Sequence, residues 1–181
     1  MTNEKKLSYL TKLCVTHYTD NNINSIWFFG RITAKIRNKI KLNLFEKWYS
    51  KQLISAIKTL SLNAPIMLYR GLCLSVQDLE AYGLLKNGKL QKNVEFNFNG
   101  FNSTSKNIEL ALDFARKNAS KYKKIPCVFI LNFDCCKGAD IKKYSKFPFE
   151  EEILNYSLHL NCYNFEIKEK VIYFYCNAYN L

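Results

Sequence analysis

The spacing of apolar residues changes near residue 63, and this change constrains the fold more than any other feature of the chain. In the first 60 residues apolar side chains recur every three to four positions, as at Leu7, Leu10 and Cys14 and again between Phe45 and Leu60. This spacing predicts two amphipathic helices. Short apolar runs rich in Val, Ile, Phe and Tyr follow at 66–69, 128–133, 153–160 and 171–176, and they predict strands. One further helix is predicted at about 106–119, so the pattern indicates an α+β fold.

The stretch between the two N-terminal helices fits two structures. Apolar residues at 32, 34, 36, 40, 42 and 44 alternate as in a strand, while those at 32, 36, 40 and 44 also recur at every fourth position, as in a helix. Periodicity alone leaves this stretch open.

Size and composition indicate one globular domain spanning 1–181, with a basic, mainly helical part at 1–62 and a β-rich part at 63–181. The chain has 181 residues, of which 48% are hydrophobic and 15% aromatic, and this composition excludes a disordered class. Its start lacks a continuous apolar leader segment, and no apolar run approaches the ~20 residues that span a bilayer. We therefore expect a cytoplasmic protein, in its own or a host cell, without a membrane span.

The positive charge is concentrated at the start of the chain. Residues 1–60 contain eleven Lys and Arg against three Asp and Glu, within a formal net charge of +12 for the whole chain. A basic surface attracts polyanions such as nucleic acid, an acidic protein or a diphosphate. The same excess is also typical of a lysine-rich and asparagine-rich composition without a specific partner.

The cysteines indicate neither a disulfide framework nor a metal site. There are seven of them, an odd number, and none forms a Cys-x-x-Cys pair. We expect reduced, mostly buried thiols and no metal cofactor.

Three short motifs carry groups suited to chemistry on a phosphorylated, positively charged substrate. They are Tyr69-Arg70-Gly71, Phe101-Asn102-Ser103-Thr104-Ser105 and Glu150-Glu151-Glu152-Ile153-Leu154. A guanidinium can form two parallel hydrogen bonds to phosphate oxygens, hydroxyls both donate and accept, and paired carboxylates stabilise a cation. Each motif alone also fits a structural role, as a strand end, a helix cap or a solvated charge run.

Taken together, in this order and at these separations, the motifs resemble the signature of arginine-specific mono-ADP-ribosyltransferases. The resemblance covers the chain from about residue 65 onward. It implies two packed, mostly antiparallel sheets in a split β-sandwich, with NAD bound as a substrate in the cleft between them. It also implies a toxin-like transferase that releases nicotinamide and modifies an arginine of a target protein.

The resemblance assigns the cofactor side of the site to the first two motifs. Arg70 would contact NAD, and Gly71 would allow the close approach of main-chain groups to nicotinamide. Ser103 would orient the catalytic glutamate, while Thr104 and Ser105 would brace the pocket and its strands. Ser105 also fits the cap of the helix that follows.

The third motif supplies the acids. If residues 150–152 form a strand, Glu150 and Glu152 face the same side and Glu151 points away. By resemblance, Glu152 would bind the ribose hydroxyl and stabilise the cation that forms when nicotinamide leaves. Glu150 would hold the acceptor arginine, and Phe147, in the preceding loop, would contact the acceptor protein. Members with glutamine in place of Glu150 tend to modify other residues.

Two alternatives remain open at this point. One is an NAD glycohydrolase that passes ADP-ribose to water. The other is a non-catalytic basic module that binds nucleic acid through residues 31–58. A Rossmann site for NAD is not indicated, because no Gly-x-Gly-x-x-Gly follows a predicted strand. The target protein implied by the resemblance carries an accessible arginine, and the basic charge of this chain suits a target that is acidic or associated with nucleic acid.

Overall fold

The computed structural model describes residues 7–20 and 22–181. Its helices are α1 (Tyr9–Tyr18), α2 (Ile23–Arg37), α3 (Leu44–Leu60), α4 (Val76–Ala81) and α5 (Ile108–Tyr122). Its strands are β1 (Ala64–Leu74), β2 (Leu85–Lys86), β3 (Lys89–Leu90), β4 (Val94–Ser105), β5 (Ile125–Cys136), β6 (Ala139–Asp140), β7 (Glu152–Lys168) and β8 (Val171–Asn180). Two 3₁₀ turns, Lys142–Tyr144 and Pro148–Glu150, precede β7. The predicted α+β class and every predicted strand are confirmed.

The stretch at 31–44 that periodicity left open is divided between two structures. Helix α2 continues through Arg37 and ends at Asn38, and a short loop leads to Asn43, the cap of α3. The Asn43 side chain accepts from the Glu46 backbone amide, and the Glu46 carboxylate accepts from the Asn43 amide. This reciprocal capping box fixes the start of α3 and so ends the ambiguous segment.

The sheet follows the order β4-β1-β5-β8-β7-β6, and β4 also pairs with β7, so the hydrogen-bonded ladder closes on itself. Strands β5 and β8 are parallel, and the other described pairs are antiparallel. Two layers pack face to face across a phenylalanine core, with Phe129 5.2 Å from Phe98 and 5.0 Å from Phe174 between ring centroids. The two packed layers expected from the resemblance are present, joined along the long strand β7.

Strands β1 and β4 separate almost completely. They share one register pair, Tyr69 with Ser105, whereas β4 follows β7 along ten register pairs. The point where β1 leaves β4 is the split between the two layers, and all three motifs lie close to it.

The N-terminal helices cover one side of this split. Their buried residues, such as Val15 and Leu53, form one apolar cluster with Phe101 of β4 and Leu154 of β7. Burial of these side chains removes apolar surface from water and ties the helices to the strands that carry the motifs. The division into one domain with parts at 1–62 and 63–181 stays a prediction.

Several expectations concern properties of the whole chain. All seven cysteines are free, five of them buried. Within 7–20 and 22–181, no helix is long and apolar enough to cross a membrane. The expected absence of a leader concerns residues 1–20, of which 1–6 lie outside the described residues.

Candidate active site

A cleft of about 670 Å³ lies at the split between β1 and β4. Residues of all three motifs line it, namely Tyr69, Arg70, Gly71, Phe101, Ser103, Thr104, Ser105, Glu150 and Glu152. The register explains the convergence, because Ser105 pairs with Tyr69 on one side and with Glu152 on the other. Three segments that are far apart in sequence therefore meet around one strand end.

Arg70 is a half-buried cation of the cleft. Its Nη1 donates to the carbonyl of Ser103, and its guanidinium carbon lies 5.7 Å from the centre of the Phe98 ring. Its Nε is buried and has no hydrogen-bond partner among the described residues. Burial lowers the pKa of Arg70 to about 10, so the group stays charged at neutral pH. A half-buried guanidinium whose Nε–H lacks a hydrogen-bond partner among the described residues is suited to bind an anionic group that enters the cleft.

Gly71 lines the cleft, and packing against α5 also requires a glycine at this position. A Cβ built on Gly71 would lie 1.8 Å from the carbonyl oxygen of Ala111 on α5. Helix α5 therefore approaches β1 closely because this position has no side chain. The sequence analysis assigned Gly71 to the approach of nicotinamide, and helix packing alone accounts for the glycine.

The three hydroxyls of the second motif alternate in direction. Ser103 is exposed and hydrogen-bonds Glu152, whereas Thr104 is buried and donates to the Ile153 carbonyl at 2.9 Å. The amide of buried Asn155 donates in turn to Thr104 Oγ1 at 3.2 Å. Thr104 thus joins β4 to β7 through a hydrogen bond, while Ser103 lines the cleft.

Ser105 acts at the end of β4. Its hydroxyl donates to the carbonyl of Glu150 at 2.8 Å and accepts from the amide of Asn107 at 3.0 Å. The cap of α5 is Asn107, which accepts from the Glu109 amide, so the expectation that Ser105 caps this helix is wrong. Two residues separate the end of β4 from the start of α5. The Ser105 hydroxyl hydrogen-bonds both this connection, at Asn107, and the third motif, at Glu150.

Glu152 is the buried acid of the site, with 5% of its surface exposed. Loss of hydration raises its pKa to about 7, and the neighbouring charge of Glu150 adds to the rise. A hydrogen bond from Ser103 and the charge of Arg70 act in the opposite direction. The carboxylate is therefore ready to change protonation near neutral pH, which is typical of catalytic acids.

The strand that the sequence analysis considered for residues 150–152 exists only at the last of them. Glu150 ends a 3₁₀ turn, Glu151 has a left-handed backbone with φ 47°, and only Glu152 belongs to β7. Even so, Glu150 and Glu152 line the cleft, and Glu151 points out to form an ion pair with Lys142 at 3.0 Å. A tight turn produces the same division of the acids that an extended strand would have given. Burial also raises the pKa of Glu150.

The loop before the acids brings two aromatic rings to the rim of the cleft. Phe147 and Phe149 meet edge to face, with their centroids 5.9 Å apart. The sequence analysis chose Phe147, which is half-buried, whereas Phe149 is 66% exposed. Of the two, Phe149 presents the larger free surface to an incoming molecule.

Helix α1 holds this loop in place. The hydroxyl of Thr16 donates to the Tyr144 carbonyl at 2.9 Å, and Thr19 accepts from the Lys146 amide at 3.0 Å. Asp20 forms an ion pair with Lys146 at 2.7 Å, and this contact lowers the pKa of Asp20. The position of this loop at the rim of the cleft therefore depends on residues near the start of the chain.

The sequence analysis missed one wall of the cleft. Tyr18 of α1 and Phe29 of α2 line it, with their rings 4.9 Å apart. Burial and, to a smaller extent, the charge of Glu152 raise the pKa of Tyr18. Helical spacing marks both residues as apolar-face positions, but it does not distinguish a core face from a cleft wall.

The described part of the chain contains no group of three or more His, Cys, Asp or Glu side chains that could hold a metal ion. The polar groups of the cleft include a guanidinium, hydroxyls and carboxylates. This set fits a substrate with a phosphate at one end and a cation at the other.

Solved structures of bacterial ADP-ribosyltransferases are similar to this chain. C3stau2 of S. aureus, solved with NAD, has a TM-score of 0.70 and 18% identity, over 98% of this chain and 90% of that one. The Clostridium limosum C3 exoenzyme has a TM-score of 0.69 and 20% identity, over 97% and 88%. The Vis toxin of Vibrio splendidus has a TM-score of 0.67 and 18% identity, over 96% and 75%.

No protein-family model matches the sequence, and no curated protein matches it. At these identities the structural likeness establishes the fold. The chain has the α+β fold of these ADP-ribosyltransferases.

Proposed function

We propose that this protein is a mono-ADP-ribosyltransferase that cleaves NAD and transfers ADP-ribose to an arginine of a target protein. The observation that carries the proposal is the convergence of Arg70, Ser103, Glu150 and Glu152 in one cleft, with Glu152 buried and its pKa near 7. The fold of known ADP-ribosyltransferases, one of them solved with NAD, supports it independently.

Arg70 fits the diphosphate of NAD. Its side chain is half-buried and its buried Nε lacks a partner among the described residues, so a phosphate oxygen would satisfy the donor and compensate the charge. The Ser103 carbonyl fixes the other edge of the guanidinium. Arg70 therefore binds and orients, and it takes no part in proton transfer.

Glu152 fits the step that breaks the bond to nicotinamide. The C1′–N bond of the ribose breaks, its electron pair leaves with nicotinamide, and positive charge develops on the ribose. An ionised carboxylate in a water-poor cleft stabilises that charge strongly. Ser103 holds the carboxylate in position and favours its ionised form.

Glu150 fits the acceptor step. A guanidinium nitrogen forms the new bond to C1′, and the proton that it loses passes to a carboxylate. Glu150 lines the cleft with Glu152, half-buried, with Phe149 at the rim. Agmatine, which carries the guanidinium of arginine, has been captured in a complex of the similar enzyme Vis, at 16% identity and a TM-score of 0.63.

The test measures two products in the same reaction. Purified protein, NAD and agmatine are mixed, and nicotinamide release and ADP-ribosyl-agmatine are quantified. Glu152→Gln keeps the shape and removes the charge, so both products should fall by about 10²-fold or more while NAD affinity changes little. Glu151→Gln is the matched control, because that acid faces solvent, and it should behave as the parent. Near-normal nicotinamide release by Glu152→Gln would contradict the proposal.

Glu150→Gln separates transfer from hydrolysis. We expect loss of ADP-ribosyl-agmatine with measurable nicotinamide release, because water needs no positioned guanidinium. If the parent releases nicotinamide but labels neither agmatine nor any protein arginine, the protein is an NAD glycohydrolase. Labelling of another residue type would reject the arginine assignment and keep the transferase.

A further inference from the structure

Helices α2 and α3 expose apolar side chains on their outer surfaces. Ile23 and Trp27 of α2 are 81% and 65% exposed, and Leu44, Phe45 and Trp48 of α3 are 86%, 58% and 38% exposed. We call these five residues the aromatic face. The pairs 23 and 27, and 44 and 48, each lie one helical turn apart, so each pair shares one side of its helix.

The aromatic face is continuous across the two helices. The Trp48 ring stacks on Phe45 at 5.7 Å, and Phe45 contacts Phe28 at the same centroid distance. The guanidinium of Arg31 lies 4.8 Å from the centre of the Trp27 ring and 5.8 Å from that of Phe28. An unbroken series of ring and guanidinium contacts therefore connects Trp27 to Trp48.

The surroundings of the aromatic face are positively charged. Residues 22–60 contain eight Lys and Arg and one acid, Glu46. Glu46 is fully buried, pairs with Lys35 at 2.8 Å and lies 3.2 Å from Arg31. Hydrogen bonding from Lys35 lowers the pKa of Glu46, so it stays ionised inside the protein. No acid of residues 22–60 therefore reaches solvent to offset the exposed lysines of this segment, Lys39, Lys41, Lys47, Lys51 and Lys58.

The aromatic face and the cleft lie on opposite sides of α2. Phe29 lines the cleft, and Trp27 precedes it by two residues, a rotation of about 200° around a helix of 3.6 residues per turn. A partner that covers Trp27 would leave the cleft open.

We propose that the aromatic face docks on the surface of an anionic lipid membrane, with the cleft turned away from the lipid. Aromatic and aliphatic side chains would enter the boundary between headgroups and acyl chains, and the surrounding lysines would attract acidic headgroups. Nucleic acid fits less well, because the two most exposed residues of the face, Ile23 and Leu44, are aliphatic and cannot stack on bases. The described helices do not span a bilayer, so the contact is interfacial.

The chain carries its own reporter for this contact. It has two tryptophans, Trp27 and Trp48, and both belong to the aromatic face. Vesicles of phosphatidylcholine with phosphatidylserine should shift the tryptophan emission to shorter wavelength, and brominated acyl chains should quench it. Binding to vesicles of phosphatidylcholine alone should be weaker by about tenfold or more. Added salt should weaken binding to the anionic vesicles. Absence of the shift on anionic vesicles overturns the proposal.

Matched variants keep both tryptophans. Ile23→Ser/Leu44→Ser should weaken vesicle binding by about tenfold or more. The control Ile167→Ser/Leu181→Ser removes two aliphatic side chains that are 62% and 69% exposed in the β-rich part, and it should bind as the parent. A second variant, with Lys39, Lys41, Lys47 and Lys51 changed to Gln, leaves the apolar contacts intact and should abolish the preference for anionic lipid. Equal loss in control and test variants overturns the proposal.

Two further readouts separate lipid binding from nucleic-acid binding and from NAD cleavage. A single-stranded RNA oligomer that binds more tightly than anionic vesicles, with the same fluorescence change, would overturn the lipid assignment in favour of nucleic acid. Nicotinamide release from free NAD should be unchanged in every variant of the aromatic face. Membrane binding and NAD cleavage are therefore measured separately, and either can fail without the other.

Discussion

The helical part at 7–60 and the β-rich part at 64–181 contribute to the same cleft in different ways. The β-rich part supplies the charged groups Arg70, Glu150 and Glu152, each within a short motif. The helical part supplies Tyr18 and Phe29 as a wall of the cleft. Through Thr19 and its neighbours it also holds the loop at 144–149, called the acceptor loop after its proposed role, and no sequence motif marks these helical residues. Chemistry concentrated in a few residues can be recognised in sequence, whereas shape distributed over helix faces cannot.

Glycine substitutions in the two parts should give opposite results, and this is the largest effect that we expect. Gly71→Ala in β1 forces a Cβ into the Ala111 carbonyl and should cost about 3 kcal/mol or more of unfolding free energy. Gly30→Ala in α2 meets nothing within 4 Å and should stabilise by roughly 0.5–1 kcal/mol, because alanine favours helix. Urea unfolding measures both. A neutral Gly71→Ala would show that α5 can move away from β1.

The buried acid should make the β-rich part less stable at high pH. Its folded pKa of about 7 lies above the ordinary value of 4.5, so the folded state binds more protons between these values and loses stability as pH rises through them. Glu152→Gln mimics the protonated form and should be more stable than the parent by about 1–3 kcal/mol at pH 8, and about equal at pH 4. Thermal unfolding at the two pH values measures this. An equal stability of the two proteins at both pH values would show that Glu152 is solvated.

The same ionisation should control the rate. If the ionised carboxylate stabilises the ribosyl cation, as proposed, kcat/KM for NAD should rise by roughly tenfold per pH unit below about pH 7 and level off above it. Nicotinamide release at subsaturating NAD gives the profile. A profile that is flat between about pH 5 and 8 would place the active carboxylate elsewhere.

Substitution of Tyr18 tests whether the helical part contacts NAD directly or only stabilises the strands of the cleft. Tyr18→Ala removes a ring that packs on Phe29 and faces the cleft, and it should raise KM for NAD by about tenfold with a smaller change in kcat. Tyr18→Phe keeps the ring and should retain most of the affinity. Equal losses in the two variants would assign the role to the Tyr18 hydroxyl rather than to its ring.

The smallest expected effect concerns the ion pair between α1 and the acceptor loop. Asp20→Asn removes the charge partner of Lys146 and should lower the ratio of transfer to hydrolysis by only about two- to fivefold, since solvent screens exposed ion pairs. Glu169→Gln removes the partner of Arg116, away from the loop, and should leave the ratio unchanged. A drop in nicotinamide release as well would mean that the pair supports the whole cleft.

The sequence predicted the α+β class and the long strands β1, β5, β7 and β8 because their apolar runs are local signals. Arg70, Ser103 and Glu152 were also predicted to share one site. That prediction came from the resemblance of the three motifs to a known family, because the spacing of apolar residues does not indicate that positions 70, 103 and 152 are close in space. The 3₁₀ turn at Glu150 was missed, because a charge run directly before an apolar run resembles the start of a strand. Tyr18 and Phe29 were missed for a deeper reason, because helical periodicity identifies an inward face without identifying what it faces.

The contacts between α1 and the acceptor loop have a consequence for when the proposed transfer activity can appear. The contact between Thr16 and Tyr144 joins residues 128 positions apart. Contacts of such long range close late, after most of the chain entropy has been lost. During synthesis the N-terminal helices leave the ribosome long before residue 144 does. The acceptor loop is therefore not ordered while the chain is still being made. We expect transfer activity to appear only with the final docking step, after the strands have already formed.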